Sequence, residues 1–434
     1  MLKRLTLPVT LAIPVAMLGC DQASFGGTAE NPDVTIRDSA GIEIVENHAP
    51  EHRAGSFWTI GPEPEFVLGG SEDLSGLAND SAQLIWRVVG LARLPDGRVA
   101  VLSSENRQLM LFEPSGELSR IIGRAGEGPG EFTRPERLQF LPPDTLVVWD
   151  YHMTSIDYFD TAGTLLKERS VDYARMREHG IWGEGMRLAL SDGSFVSTRA
   201  GQKTETEPPW SDCSPRRGWF APVSRTGAFV GEPRERESPA REFVLIDTAY
   251  AAHAFGCPRV IAAGGDPPSI YVSRGNRNEI HQFSAAGNPR RIIRRTTDPL
   301  PVTDKALRAW EDRTLGAYEE QGWPPPEAQL EAMRSVETFP PIDGIIVDAE
   351  GYLWVSEYSE SETWLVDRWS IFSPEGRWLG VLDMPGDEYA AAFFRCRGYV
   401  VTCWIDRDFF VVLGRDQFDV ERVDAYRIRR LQGR

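Results

Sequence analysis

Apolar and polar residues alternate in short runs along most of the chain, as in Arg98-Val-Ala-Val-Leu102, Leu146-Val-Val-Trp149 and Tyr352-Leu-Trp-Val355. The runs are rich in β-branched and aromatic residues and are bounded by turn residues, a pattern typical of β-strands. Helical periodicity is nearly absent outside residues 302–338. The pattern therefore predicts a protein built mainly of short antiparallel strands.

Two kinds of turn recur between these runs. The first consists of an aromatic or apolar residue, a few small or polar residues and then Gly, and it occurs at Ile36–Gly41, Phe112–Gly116, Phe159–Gly163, Val223–Gly227, Phe283–Gly287 and Phe372–Gly376. The second is a tight turn at Pro95–Gly97, Pro142–Asp144, Ser191–Gly193, Asp266–Pro268, Ala349–Gly351 and Cys396–Gly398. Six turns of each kind describe six units of four strands.

The spacing of the turns supports a repeat. Gly116 and Gly163 are 47 residues apart, as are Gly351 and Gly398. Four-stranded repeats of roughly 40–50 residues are the signature of a β-propeller. The sequence thus predicts an all-β fold, a six-bladed β-propeller of four-stranded blades over residues 34–434, with a small helical insertion.

The N-terminus has the features of an export signal. Lys3 and Arg4 precede an apolar stretch that is too short for a comfortable membrane span. Its end, Ala16-Met-Leu-Gly-Cys20, resembles the lipobox of bacterial lipoproteins, which implies a signal peptide over 1–19, diacylation of Cys20 and a tether over 20–33. The alternative is an ordinary signal peptide with a chance cysteine. Asp21 resembles an inner-membrane retention signal, so we expect a lipid-anchored, periplasm-facing envelope protein, with the inner membrane favoured.

Charge and cysteine content limit the partners and the chemistry. The formal net charge of −17 argues against nucleic acid, because binding to phosphate backbones requires a basic surface. An even number of cysteines beyond Cys20 favours disulfides in an exported protein, and free buried thiols are the alternative. These four cysteines are Cys213, Cys257, Cys396 and Cys403.

Two phrases resemble a known family. They are Gly123-Arg-Ala-Gly-Glu-Gly-Pro-Gly-Glu-Phe132, followed by Pro135, and Val347-Asp-Ala-Glu-Gly-Tyr-Leu-Trp-Val355. They resemble the NHL-type repeat, and more closely the exported six-bladed propeller lipoproteins of environmental bacteria. The resemblance implies a fold and an envelope location but no settled reaction. The glycine-rich phrase lacks the Lys-Ser/Thr ending of a phosphate-binding loop, so we interpret it as a link between blades.

A propeller ring has to close, because an open blade would expose an unpaired strand edge. The C-terminal unit ends without a closing strand, whereas Thr35–Glu46 contains the first kind of turn and has no preceding blade. We therefore expect the strand near Ile42–Glu46 to complete the sixth blade.

The longest insertions, at about 200–218, 231–250 and 296–341, all fall in the connections opposite the short turns. Long loops gathered on one face often carry function. In the last insertion Thr303-Asp304 predicts a helix start, Pro324 ends that helix, and a second helix is expected from Glu327. This helical hairpin is either a lid over the central channel or a hairpin packed on the rim.

Charged residues at the predicted ends of the second strands provide a candidate binding site on that face. They are Glu105, Arg107, Asp150, His152, Arg274, Arg277, Glu357, Asp406 and Arg407. Carboxylates and guanidiniums arranged around a ring could hold an acidic or sugar-like ligand through paired hydrogen bonds. The alternative is that they form ion pairs with one another, which stabilise little.

Two functions remain open. The first is a binding scaffold without a cofactor, which presents the loop-rich face to an unknown protein, peptide or glycan. The second is a lactonase-like hydrolase or lyase with calcium at the channel mouth, held by Glu105, Asp150, Glu357 and Asp406. The scattered histidines provide no zinc set. The sequence favours the binding scaffold, because it asks for fewer specific residues.

Overall fold

The structure is a computed structural model. It describes residues 33–53, 57–70, 85–150, 155–171, 174, 178, 186–200, 216–226, 228–230, 234–238, 243–246, 249–252, 260–273, 277–324, 327–357, 368–384, 402–416, 418 and 420–430.

The described strands, in chain order, fall into two groups. The first group is β1 (Val34–Ser39), β2 (Ile42–Asn47), β3 (Thr59–Ile60), β4 (Phe66–Gly69), β5 (Val88–Arg93), β6 (Val99–Ser103), β7 (Gln108–Phe112), β8 (Leu118–Ile122), β9 (Pro135–Leu141), β10 (Thr145–Asp150), β11 (Ser155–Asp160), β12 (Leu165–Ser170), β13 (Met186–Ala189), β14 (Phe195–Ala200), β15 (Arg216–Val223) and β16 (Arg234–Ser238). The second group is β17 (Phe243–Ile246), β18 (Ala249–Ala252), β19 (Val260–Gly264), β20 (Ser269–Ser273), β21 (Glu279–Ser284), β22 (Pro289–Arg295), β23 (Gly344–Val347), β24 (Leu353–Ser356), β25 (Arg368–Phe372), β26 (Trp378–Asp383), β27 (Cys403–Ile405), β28 (Phe409–Arg415) and β29 (Glu421–Arg429).

These strands form six blades, as the turn pattern predicts. Blades one to five are the antiparallel sheets β5–β8, β9–β12, β13–β16, β19–β22 and β23–β26. Blade six consists of β27, β28, β29 and β4. The first strand of each blade is its inner strand, and β27 of blade six contacts β5 of blade one, so the ring closes.

The core lies between adjacent blades. Leu68, Val101 and Val411 belong to one fully buried cluster that joins blades six and one. Between blades one and two the approach is closer, because a Cβ on Gly90 would lie 2.5 Å from Cβ of Leu138. Only glycine fits at that position of β5, so the spacing of two blades depends on this residue.

The prediction that the strand near Ile42–Glu46 closes blade six is wrong, although another N-terminal segment does close this blade. The closing strand is β4, in which Leu68 pairs with Val423 of β29. Instead β2 pairs in parallel with β22, the outer strand of blade four, and β1 pairs with β2. The strands β1 and β2 pair with each other across their own turn, and β2 adds this hairpin to the outer edge of β22. As a result blade four has six strands.

The helical insertion follows the prediction. The longer helix spans Asp304–Glu320, and the Thr303 hydroxyl at its N-cap accepts a hydrogen bond from the Ala306 N–H. The shorter helix spans Glu327–Arg334. Ala306, Met333 and Phe339 form a small buried core beneath the pair.

The other insertions differ in detail from the sequence expectation. Residues 234–238 form β16, the outer strand of blade three, rather than part of a connection. The connection to blade four contains the additional hairpin β17–β18, and the helix Glu327–Arg334 contacts β17. Two insertions therefore meet on one face of the ring.

Candidate functional site: a polar cavity in the central channel

The ring has two different ends. The hairpin end carries the turns between first and second strands, such as 94–98, and between third and fourth strands, such as 113–117. The connection end carries the loops between second and third strands and the links between blades, including the helical insertion.

A cavity of about 700 Å³ lies in the channel, toward the hairpin end. All six blades contribute to its wall through the last residues of their inner strands and the turns that follow. Representative wall residues are Arg93, Arg137, Leu188, Ile261, Val347 and Trp404. A volume of this size suits a small organic molecule. The turns around it are short, so the wall is built on strands rather than on long loops.

Arg137 brings a positive charge into this cavity from β9 of blade two. Burial lowers the pKa of its guanidinium to about 10, because removal from water disfavours the charged form. The group nevertheless stays protonated at neutral pH. A guanidinium in a partly dry channel is well suited to holding a carboxylate or phosphate through two hydrogen bonds.

Two polar atoms in the cavity wall have no hydrogen-bond partner among the described residues. The Gln139 side chain donates from Nε2 to the Leu190 carbonyl, but its Oε1 is buried and unpaired. The indole Nε1 of Trp404, whose ring packs edge-on against Phe140, is also buried and unpaired. Buried polar groups are usually hydrogen-bonded, so this acceptor and this donor are exceptions within the cavity wall.

Carboxylates surround the mouth of the cavity at the hairpin end. The wall includes Asp192, Asp266, Glu350 and Asp406, each in a turn that follows an inner strand. Asp406 forms an ion pair with Arg93, with 3.2 Å between Oδ2 and Nη1. The site thus combines a guanidinium inside the channel with an acidic mouth.

Asp348, also in the cavity wall, has a structural role in blade five. Its Oδ1 accepts the Tyr352 N–H at 2.8 Å, and its Oδ2 accepts the Trp354 indole N–H at 3.0 Å. Arg430 donates from Nη2 to Asp348 Oδ2 at 3.3 Å and to Glu350 at 3.2 Å. Burial raises the pKa of Asp348 to about 7, and burial also raises the pKa of Glu350. These contacts fix the turn that borders the cavity.

The structure does not bring the described members of the predicted second-strand set together in one site. Glu105 and Arg107 are exposed in the loop after β6, and Arg277 is exposed before β21. Glu357 instead pairs with Arg295, whose side chain is 5 % exposed. His152, Arg274 and Cys20 lie outside the described residues.

Asp150 acts as a support for the link between blades one and two. Its two carboxylate oxygens accept the backbone N–H groups of Thr133 at 2.7 Å and Arg134 at 2.5 Å. Asp150 as a whole is 4 % exposed, which agrees with a supporting role.

Asp406 and Arg407 lie at the opposite end from the position expected. The turn between β27 and β28 contains both residues, so they belong to the hairpin end, whereas Glu105, Asp150 and Glu357 follow second strands at the connection end. The four carboxylates expected to bind calcium are therefore not brought together. Among the described residues, no three His, Cys, Asp or Glu side chains are grouped closely enough to hold a metal ion.

The sequence of β9 contains a pattern from which two cavity residues could have been predicted. In β9, Arg137 and Gln139 alternate with Leu138 and Phe140 in a strand that lines the channel. In the innermost strand of a blade, a polar side chain that does not pack between blades can face only the central channel. The second strands, which the sequence expectation uses, do not line the channel.

The glycine-rich phrase connects blades, as interpreted from the sequence. It leads from β8 to β9, and Phe132 is fully buried between the two blades. Glu131 accepts the Gly128 N–H at 3.0 Å and forms an ion pair with Arg124 at 2.7 Å. The loop folds around its own carboxylate, so its backbone amides are not arranged as a phosphate cradle.

The proposed disulfides stay a prediction. Cys403 is buried in β27, and Cys213, Cys257 and Cys396 lie outside the described residues. No described helix has both the length and the apolar character needed to cross a membrane.

Comparison with known proteins supports the propeller fold. Residues 84–178, which include blades one and two, match a protein family described as 6-bladed beta-propeller. No curated protein matches the sequence at a significant level.

Several solved structures are similar in outline. A protein from Bacteroides fragilis NCTC 9343 is 13 % identical, with 89 % of this chain and 99 % of that chain covered and a TM-score of 0.43. A duf4221 member from Bacteroides vulgatus is 9 % identical, with coverages of 86 % and 99 % and a TM-score of 0.46. Virginiamycin B lyase from Staphylococcus aureus is 10 % identical, with coverages of 86 % and 99 % and a TM-score of 0.36.

Proposed function

We propose that this protein is an envelope-anchored binding propeller that holds a small anionic molecule in its central channel. The observation that carries the proposal is the meeting of Arg137, Gln139 and Trp404 in one cavity of about 700 Å³. Two of these side chains have buried polar atoms without a hydrogen-bond partner among the described residues. Desolvated groups of this kind gain more from a ligand than exposed groups do.

The cavity chemistry defines the ligand class. The Arg137 guanidinium would bind a carboxylate or phosphate group of the ligand. Trp404 Nε1 would donate to a ligand oxygen, and Gln139 Oε1 would accept from a hydroxyl or amide N–H. The carboxylates at the mouth favour hydroxyl groups or a cationic group on the outer part of the molecule. A small acid that also carries hydroxyl or amino groups satisfies all four requirements.

The site differs from the loop-rich face that the sequence favoured. The connection end contains the long insertions, but its described candidate residues support the backbone, as Asp150 does, form an ion pair, as Glu357 does, or are exposed. The cavity lies toward the other end and has a rigid wall. Sites built on strands hold their geometry better than sites on loops.

The anchor is part of the same proposal. The segment Ala16–Cys20 supports diacylation of Cys20, which would hold the ring at a bacterial membrane through a short tether. Asp21 favours the inner membrane. Radiolabelled palmitate in producing cells tests the anchor, because label should enter the wild type and be absent from Cys20→Ser.

Saturation-transfer NMR tests the channel with a small-molecule extract of cells that produce the protein. We expect at least one extract component to receive saturation from the wild type and to lose it with Arg137→Met. Arg277→Met removes an exposed arginine at the connection end and should leave binding intact. Absence of any bound component, or equal binding by Arg137→Met, would overturn the proposed site.

A further inference from the structure

The exposed tryptophan and phenylalanine side chains of the described chain share one end of the ring. Trp86, Trp323 and Phe418 are 44 %, 59 % and 68 % exposed. Trp86 precedes β5 in the link from blade six, Trp323 follows the longer helix, and Phe418 lies in the loop between β28 and β29. All three positions belong to the connection end, opposite the cavity mouth.

These aromatics are spread around the ring. Trp86 and Phe418 lie beside blades six and one, whereas Trp323 belongs to the insertion between blades four and five. Blades one and four are opposite each other in a ring of six. The three side chains therefore mark a broad surface rather than a single groove.

The tether leaves the ring at the same end. Val34 pairs with Asn47, whose carbonyl accepts the Thr296 N–H at 2.8 Å. Thr296 is the first residue after β22 and begins the helical insertion. The described chain thus starts beside the insertion that carries Trp323.

The tether is too short to let the ring move far from an anchored Cys20. Residues 20–32 number 13. Even fully extended, such a segment spans at most about 45 Å, at roughly 3.3–3.6 Å per residue. With Cys20 acylated, the end from which the tether leaves would stay within about 45 Å of the membrane surface.

From these two independent observations we propose that the connection end lies against a lipid bilayer, with Trp86, Trp323 and Phe418 in the headgroup region. This inference rests on the proposed anchor. Tryptophan is favoured at membrane interfaces because its ring combines apolar area with a polar N–H, and phenylalanine adds apolar area to such surfaces. In this orientation the cavity mouth opens away from the membrane, toward ligands in solution.

Charge indicates the type of lipid contact. The net charge of −17 disfavours attraction to anionic headgroups. Contact through aromatic rings does not depend on ionic attraction. We therefore expect contact with zwitterionic phosphatidylcholine that is insensitive to salt.

The test uses the full acylated protein in phosphatidylcholine vesicles with brominated acyl chains, which quench tryptophans in contact with the bilayer. Part of the wild-type fluorescence should be quenched, and the quenched part should fall in Trp86→Phe/Trp323→Phe. In that double-variant background, Phe418→Trp should restore quenching. Val230→Trp, at a 53 % exposed position in the hairpin end, should add fluorescence that is not quenched.

The possible results of this experiment distinguish the proposed orientation of the ring from the proposed lipid anchor. Vesicle flotation without quenching, or quenching of Val230→Trp instead of Phe418→Trp, would overturn the orientation and leave the anchor standing. Failure of the wild type to float would overturn the anchor, and the orientation with it. Ligand binding in the channel is measured separately and does not affect either result.

Discussion

Asn47 accepts a hydrogen bond from the Trp378 backbone N–H at 2.8 Å, although 331 residues separate them. The amide of Asn47 also donates to the carbonyls of Arg294 and Gly376, both at 3.0 Å. Asn47 is fully buried at the end of β2. One side chain therefore joins the N-terminal hairpin to blades four and five.

Asn47→Ala should lower the free energy of unfolding by about 2–4 kcal/mol, because each buried group left unpaired costs roughly 1–3 kcal/mol. Urea unfolding measures the change. Thr35→Ala alters an exposed residue of the same hairpin and should have little effect. Equal stability of Asn47→Ala and the wild type would show that the hairpin does not hold the blades.

Closure of blade six predicts effects of very different size for substitutions at two neighbouring residues of β4. Leu68 is fully buried between blades six and one, whereas Val67 is 41 % exposed. Leu68→Asp should destabilise the ring by about 4 kcal/mol or more, because it buries an unpaired charge, and Val67→Asp should change stability by less than about 1 kcal/mol. Thermal unfolding followed by circular dichroism measures both. Similar losses in the two variants would contradict closure by β4.

Asp157 predicts a pH dependence of stability. Burial raises its pKa to about 7, and repulsion from Glu168 and Asp150 adds to the shift. Because the folded state holds this proton more tightly than the unfolded chain, its stabilising contribution is complete below pH about 4 and is lost as the pH rises to about 7. Above that pH the fold contains a buried charge.

Asp157→Asn should therefore stabilise the protein at pH 8 by about 1–3 kcal/mol and make stability less dependent on pH between 5 and 8. Urea unfolding of both proteins at pH 5 and pH 8 tests this. Glu168→Gln removes one source of repulsion and should give a smaller gain at pH 8. A variant that is less stable than the wild type at pH 8 would refute the assigned protonation state.

Substitution of two glycines by alanine should change the stability of the protein in opposite directions. Gly90→Ala would place its Cβ against Leu138, so we expect a loss of about 1–3 kcal/mol from overpacking between blades one and two. Gly316 lies in the longer helix with no atom within 4 Å of an added Cβ. Gly316→Ala should gain up to about 1 kcal/mol from helix propensity. Thermal unfolding of both variants measures these effects, and a stabilising Gly90→Ala would contradict the close approach of the blades.

The blade pattern was readable from the sequence because local turns specify it. The tight turns at Gly97, Gly193 and Gly351 each follow an inner strand, and the helix start at Thr303 has a capping signature. Closure was less readable, since Phe66–Gly69 carries no turn and its pairing with β29 is decided by a partner more than 350 residues away. The site was missed for a similar reason, because Arg137 and Trp404 meet only when six inner strands surround one channel.

The most direct measurement is the crystal structure of the protein bound to the extract component that saturation transfer identifies. If the channel is the binding site, we expect ligand density inside it, with an anionic group against the Arg137 guanidinium and a ligand oxygen near Trp404 Nε1. Density at the connection end instead, beside Glu105, Arg107 or Arg277, would contradict it and would restore the loop-rich face as the binding surface.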